Sequence, residues 1–288
     1  RDLNQRPDQS PSRWVINVRD WPLRRATPDE WKALGPAARQ QSEKDGIAPP
    51  DYDKPVAADY PDLLKILEEK VKPIRSELHD NNSTNKNLKK FWWKHSNLGI
   101  MLKEKTKNES KVLVIAATSK THGIVYQPLS VFFSHMLYIF ALNKHNEYTI
   151  LQSTFHEQWA WKYGSSLKGD RRYTPTTCFE TFPFPRPDDS QRAALEALGE
   201  RYDLARRGLL AGLGCGLTDL YNLFHDPSVG PRLSPEAFAL ADKTLEKQAG
   251  KGAVALRKLV DGDVSRYHAL ARDIEAFRDL HAEMDRAV

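Results

Sequence analysis

The segment Arg171–Pro185 constrains the fold of this chain most strongly, because prolines interrupt its aromatic run. Pro175, Pro183 and Pro185 each fix a φ angle and lack an N–H donor, so the segment cannot form a continuous helix or a central strand. It opens on two arginines and a tyrosine, side chains that suit phosphates and bases. The segment therefore predicts a rigid seam between a mixed front part and a helical back part.

The net positive charge lies in front of this seam. Residues 1–190 contain 29 basic and 23 acidic residues, whereas residues 191–288 contain 14 and 15. A basic excess in one part of a chain favours a polyanionic partner, and a solvated charged surface is the alternative. The stretch Lys86–Lys120 holds nine basic and two acidic residues among aromatics, which makes it a candidate electrostatic footprint.

Cysteines and apolar runs bound the class of protein. Cys178 and Cys215 have no paired spacing, so they indicate neither a disulfide framework nor a zinc site. They predict reduced packing residues in a cytoplasmic protein. The apolar runs are far shorter than the roughly 20 residues of a membrane helix, so no membrane partner is expected. The chain opens on Arg1 without an initiator methionine, which predicts a piece of a longer protein.

Hydrophobic patterning predicts an α+β fold, with a small, mixed, mostly antiparallel sheet and flanking helices, followed by an all-α helical bundle. The predicted organisation is therefore a mixed front part followed by a helical back part. Strands are predicted at Arg13–Val18, Val112–Thr118, Gly123–Gln127 and Phe132–Asn143, and helices at Pro28–Ser42, Pro61–Pro73 and Thr149–Tyr163.

The catalytic patterns that we sought are incomplete. His156-Glu157 lacks the second histidine of a zinc protease, and Gly212–Gly216 follows a helical pattern without a P-loop lysine, which favours a turn between helices. Cys178 has apolar flanks and no local histidine to activate it, so packing is the preferred interpretation. We therefore predict no catalytic residue, no bound cofactor and no metal in these residues.

Two clusters fit contact with double-stranded DNA, which requires cations for phosphates and polar groups for base edges. The first is the turn that carries Lys120, Thr121 and His122, predicted to project from a hairpin tip. The second lies at the seam, where the predicted DNA-binding residues are Lys168, Arg171, Arg172 and Tyr173. Solvated charged faces are the alternative at both places.

Six separated blocks, in order along the chain, resemble one protein family. They are Leu3–Pro7 with Ser12–Asn17, Tyr60–Leu63 with Val71–Arg75, Ser119–His122, Arg172–Pro185, Gly216–Pro227 and His281–Val288. Together they resemble the C-terminal part of class I S-adenosylmethionine-dependent, adenine-specific DNA methyltransferases of the MmeI-like, type IIG or IIL restriction-modification family.

The resemblance implies a target recognition (DNA-binding) domain over residues 1–187, joined to a C-terminal helical domain over residues 188–288 that helps to grip DNA. It implies a methyltransferase domain of the same polypeptide upstream, because the glycine-rich cofactor loop and the Asn-Pro-Pro-Tyr motif are absent here. S-adenosylmethionine is thus expected for the parent enzyme and not for this fragment. The alternative from a different class is a protein–protein interaction module in which the helices form a docking platform without DNA contact.

Overall fold

The computed structural model describes residues 2–95, 100–230 and 233–288. Residues 96–99, which belong to the basic stretch Lys86–Lys120, lie outside the described residues. In chain order, the strands β1–β8 are Arg24–Arg25, Ile47–Ala48, Lys111–Ala116, Thr118–Ser119, Val125–Pro128, Leu137–Phe140, Ser165–Leu167 and Asp170–Arg172. The helices α1–α15 are Asp2–Gln5, Pro28–Ala33, Pro36–Lys44, Pro61–Lys70, Lys72–Ser76, Ser83–Lys90, Ile100–Lys105, His145–Gln152, Thr154–Tyr163, Asp189–Leu213, Leu217–His225, Pro235–Phe238, Asp242–Ala249, Lys251–Leu259 and Val264–Ala287.

The chain packs as two compact units. The smaller unit is Trp14–Glu104, and the larger unit joins the segment that ends at Arg13 to Lys105–Val288. The larger unit contains both sides of the predicted domain boundary at residue 187. The boundary at residue 187 therefore stays a prediction.

The smaller unit is built around a cluster that includes Val18, Leu67 and Trp93. Its strands β1 and β2 pair in parallel, with Arg24 opposite Ile47. The strand predicted at Arg13–Val18 is wrong, since only Val18 is buried and the Trp14 side chain is fully exposed. Composition indicated a strand there, but the structure pairs the segment with no other strand among the described residues.

Prolines divide the helices of the smaller unit. The helix predicted at Pro28–Ser42 is two helices, because α3 starts afresh at Pro36 after the extended Gly35. The first of them, α2, begins at a capping box in which Thr27 and Glu30 each accept a hydrogen bond from the other's backbone N–H. The pattern at Pro61–Pro73 likewise gives α4 and then α5, with Pro73 in the first turn of α5.

The larger unit contains an antiparallel sheet in the order β5–β3–β6, which confirms three strands in this region. The predicted strand Phe132–Asn143 is shorter, at Leu137–Phe140, and Thr118 belongs to β4 of another sheet. Four successive residues of β3, Val112–Ile115, have no exposed surface. Such a strand is covered on both faces, which explains its continuous apolar run.

The helix predicted at Thr149–Tyr163 is two helices, α8 and α9, separated at Ser153. Ser153 has an extended backbone (φ −64°, ψ 156°), and its side chain accepts a hydrogen bond from the N–H of His156 at the start of α9. The apolar spacing of four continues across this break, so periodicity alone could not reveal it. Because α8 ends at Gln152, the backbone carbonyl of Leu151 in its last turn is available to buried polar side chains.

Helices α10–α15 form the helical back part. An Asp188 capping box begins α10, and Gly214 ends it with a left-handed φ of 63°, which confirms the predicted turn between helices at Gly212–Gly216. Helix α10 packs against both α8 and α15. Sheet residues such as Val114 and helical residues such as Tyr202 and Phe277 share one core.

The α+β class is confirmed, with mostly antiparallel small sheets and a C-terminal helical region. Among the described residues, we find no helix that combines the length and the apolar character needed to cross a membrane.

Candidate functional site

A second sheet of the larger unit, in the order β4–β8–β7, brings the two predicted DNA-binding clusters together. Thr118 lies opposite Arg172, and Ser119 lies opposite Arg171, in an antiparallel pair. Lys120 directly follows Ser119, so the turn after β4 lies beside the strand that carries the arginines. The two clusters are about fifty residues apart in the sequence, and strand pairing makes them neighbours.

Strands β7 and β8 form a tight hairpin that carries Lys168 at its tip. Lys168 and Gly169 have positive φ angles of 52° and 86°, a pattern that suits a two-residue turn of type I′. Leu167 lies opposite Asp170 on either side of the turn, and Ser165 lies opposite Arg172. The turn therefore holds the Lys168 side chain at the exposed end of a short, twisted ribbon.

The seven predicted side chains divide into an exposed set and a buried set. Lys120, Lys168 and Arg172 are exposed. Thr121, His122, Arg171 and Tyr173 are buried, at 8%, 2%, 1% and 0% exposure. The expected projection of the whole Lys120–His122 turn is thus correct only for the lysine, because the next two residues turn into the core. Three cations remain available at the surface formed by these two clusters.

Arg171 places a guanidinium group beneath this surface. Its Nη2 atom donates a long hydrogen bond of 3.4 Å to the Thr121 carbonyl, and its guanidinium lies 5.6 Å from the ring centre of Trp161. Its Nε and Nη1 atoms have no hydrogen-bond partner among the described residues. Burial lowers the pKa of Arg171, and the nearby Glu157 raises it. The group adds positive charge to the protein below the exposed cations.

Two buried histidines connect the turn to β8 through the end of α8. His122 Nε2 and His156 Nδ1 both lie 2.7 Å from the carbonyl oxygen of Leu151. A carbonyl only accepts, so both rings donate to it, and His156 Nε2 is left to accept from the Tyr173 hydroxyl at 3.1 Å. Burial favours the neutral form of both rings, and in that form the proton lies on Nε2 of His122 and on Nδ1 of His156.

Acid is expected to destabilise the larger unit through these histidines. Burial lowers the pKa of His156 from 6.5 to about 4 and also lowers the pKa of His122. The unfolded chain therefore takes up protons first, and stability falls as the pH drops from about 6.5 towards 4. His156 contributes about 1.4 kcal/mol per pH unit in that window, or roughly 2 kcal/mol between pH 7 and pH 5, and His122 acts in the same direction.

Urea unfolding at pH 7 and pH 5 measures this loss. The variant His156→Gln should lose roughly 2 kcal/mol less than the wild-type chain on acidification, because one titrating group is gone. An equal loss in both proteins would show that His156 does not titrate in this way.

Two residues that the sequence analysis did not select complete the site. Gln152 is 2% exposed and bonds two backbone groups of the turn, and Arg206 is 1% exposed and bonds a third. Gln152 has no sequence signal, since it is a single polar residue at a helix end. The sequence does give a signal for Arg206, which lies four residues after Tyr202 and three before Leu209 and therefore on the buried face of α10.

Comparison with known proteins shows what part of the chain is similar to. Residues 50–186 match the family model described as the target recognition domain of MmeI. No curated protein matches the chain. A solved structure of the type IIL restriction-modification enzyme MmeI in complex with DNA matches it with a TM-score of 0.46 and 18% identity. The match covers 75% of this chain and 27% of that one, so the chain spans about a quarter of the length of that enzyme. Residues 50–186 are thus similar to the target recognition domain of MmeI.

Proposed function

We propose that this chain is the sequence-specific DNA recognition module of an adenine-specific DNA methyltransferase in a cytoplasmic restriction-modification or related phage-defence system. The match of residues 50–186 to the MmeI target recognition domain is the observation that carries this proposal. The proximity of three exposed cations on and beside one small sheet supports it, because DNA binding requires cations at the phosphate backbone.

The proposal assigns different roles to the exposed and the buried residues. Lys120, Lys168 and Arg172 contact the duplex, and lysine serves as a point charge while arginine can form a fork of two hydrogen bonds. Thr121, His122, Arg171 and Tyr173 support these contacts from within the protein. An arginine that forks onto guanine in the major groove gives sequence information, so Arg172 is the candidate for base recognition.

The catalytic step belongs to a methyltransferase domain of the same polypeptide, upstream of this chain. Enzymes that modify a base within duplex DNA first rotate it out of the stack, which costs a few kcal/mol of unstacking and unpairing. The recognition module would hold the duplex in place during that step. S-adenosylmethionine would bind to a glycine-rich loop of that upstream domain.

Selection from a library of random duplex DNA tests sequence recognition. The full chain should enrich a defined sequence motif. The variant Arg172→Ala should lose the preference at one position, at a cost of roughly 1 to 3 kcal/mol for the correct base.

Arg272→Ala is the matched control, since Arg272 is an exposed arginine on α15. It should enrich the same motif as the wild-type chain. A library that emerges without any enriched motif would contradict the proposal and favour the protein–protein interaction module.

A further inference from the structure

The segment 120–124, which joins β4 to β5, is unusual in where its backbone hydrogen bonds go. It belongs to no strand or helix. Side chains nonetheless pair five of its backbone groups. At Thr121, Ser119 Oγ accepts from the N–H at 3.1 Å and Arg171 donates to the carbonyl at 3.4 Å. Gln152 donates to the His122 carbonyl at 2.8 Å and accepts from the N–H of Ile124 at 2.9 Å, and Arg206 donates to the Ile124 carbonyl at 2.7 Å.

Gln152 contributes most to this set, because its amide bonds two backbone groups at once. It is the last residue of α8 and is 2% exposed. Its Nε2 donates and its Oε1 accepts, as a neighbouring strand's peptide group would. The Gln152 amide thus takes the place of a neighbouring strand, and it fixes the backbone of the turn although the turn belongs to no sheet.

Lys120 is the one exposed residue of the segment 120–124. Its four successors are buried, and the backbone around them is fixed by buried side chains. A surface lysine on a mobile loop loses both backbone and side-chain conformational entropy on binding. Here the backbone that follows Lys120 is already ordered, so that part of the cost falls away. Ordering a binding group in advance removes part of the entropy cost of association.

We infer that Gln152 is a positioning residue that holds the 120–124 turn so that Lys120 meets a DNA phosphate. This inference rests on the proposed function. Gln152 itself touches no DNA, because it is buried under the turn. We expect its effect on binding to pass through the turn that carries Lys120. Arg206 and Arg171 support the same turn, and their positive charge lies beneath it.

The salt dependence of binding tests the inference, because its slope counts phosphate contacts. Each lost contact with duplex DNA makes the slope of log K against log salt shallower by about 0.9. With random-sequence duplex DNA and the full chain, Lys120→Ala should show this change. Gln152→Met, which has a similar size without the amide, should show the same change. The double variant should show no more than either single variant, since both remove one contact.

Thr149→Val is the matched control on the same helix. Thr149 is fully buried, and its hydroxyl bonds the carbonyls of His145 and Leu195, away from the turn. This variant should keep the wild-type slope even if it loses stability. A purely structural role of Gln152 would give the same result as Thr149→Val, namely a lower unfolding midpoint and an unchanged slope.

The outcomes separate this inference from the proposed function. A folded Gln152→Met that keeps the wild-type slope, while Lys120→Ala becomes shallower, would overturn the inference and leave the proposed function intact. An additive change in the double variant would also overturn it. A wild-type chain without binding at low salt would instead refute the proposed function. If Gln152→Met does not fold, Gln152→Asn replaces it, because the shorter amide cannot reach both backbone groups and adds no charge, and the salt slopes are compared in the same way.

Discussion

Replacing Arg206 with leucine is expected to lower the free energy of unfolding by about 3 kcal/mol. Arg206 is 1% exposed and joins α10 to the segment 120–124, since its Nη1 donates to the Ile124 carbonyl at 2.7 Å, and its Nη2 donates to Asp203 of the same helix at 3.1 Å. The substitution leaves the buried carbonyl without a donor and takes one partner from a buried carboxylate. Breaking a buried ion pair from one side typically costs 3 to 5 kcal/mol. We expect the lower end because Arg207 still contacts Asp203 at 2.9 Å.

Urea unfolding of Arg206→Leu and Arg207→Leu measures this difference directly. Arg207 pairs with the same carboxylate, but more than half of its side chain is exposed. An exposed ion pair contributes less than about 1 kcal/mol, so the control should remain close to the wild-type chain. Similar losses in the two variants would mean that burial of Arg206 has no special role.

Replacing Arg278 with methionine is expected to cost at least about 3 kcal/mol. Its guanidinium donates to four backbone carbonyls at the end of α11, those of Leu223, Phe224, Asp226 and Val229, at 2.7 to 2.8 Å. The last carbonyls of a helix have no partner within the helix, so this one side chain caps α11 from α15. Each hydrogen bond to a charged donor contributes roughly 1.5 kcal/mol or more, reduced here by partial exposure.

The matched control is Arg272→Met, on the same helix and exposed. It should change stability by no more than about 0.5 kcal/mol. Unfolding midpoints of the two variants, measured at one pH and one salt concentration, give the comparison. A loss below about 1 kcal/mol for Arg278→Met would contradict the capping role.

Local sequence signals predicted the parts of the fold that depend on local interactions. The antiparallel strands around Val112–Ile115 followed from continuous apolar runs with short connections. The turn at Gly214 followed from glycines after an amphipathic helix. In contrast, the break between α8 and α9 depends on the Ser153 cap, which leaves the apolar spacing unchanged. Composition likewise could not tell that Arg13–Val18 has no pairing partner.

The candidate site was only partly accessible from the sequence. The exposed cations Lys120, Lys168 and Arg172 were selected by residue type, and nothing in the sequence indicated that β4 and β8 pair. Burial of Arg171 beside exposed Arg172 follows from strand alternation, which becomes predictable only when the strand is known. Gln152 was not selected because its role depends on a turn about thirty residues earlier in the chain.

The salt dependence of binding to random duplex DNA tests most directly whether the surface formed by Lys120, Lys168 and Arg172 binds DNA. Contact with DNA phosphates predicts a steep loss of affinity as salt rises, with a slope of about −0.9 per phosphate contact. It further predicts that the triple variant Lys120→Ala, Lys168→Ala and Arg172→Ala has a slope shallower by as much as about 2.7, because up to three contacts are lost. A wild-type slope near zero, or a triple variant with the wild-type slope, would contradict the assignment of this surface to DNA.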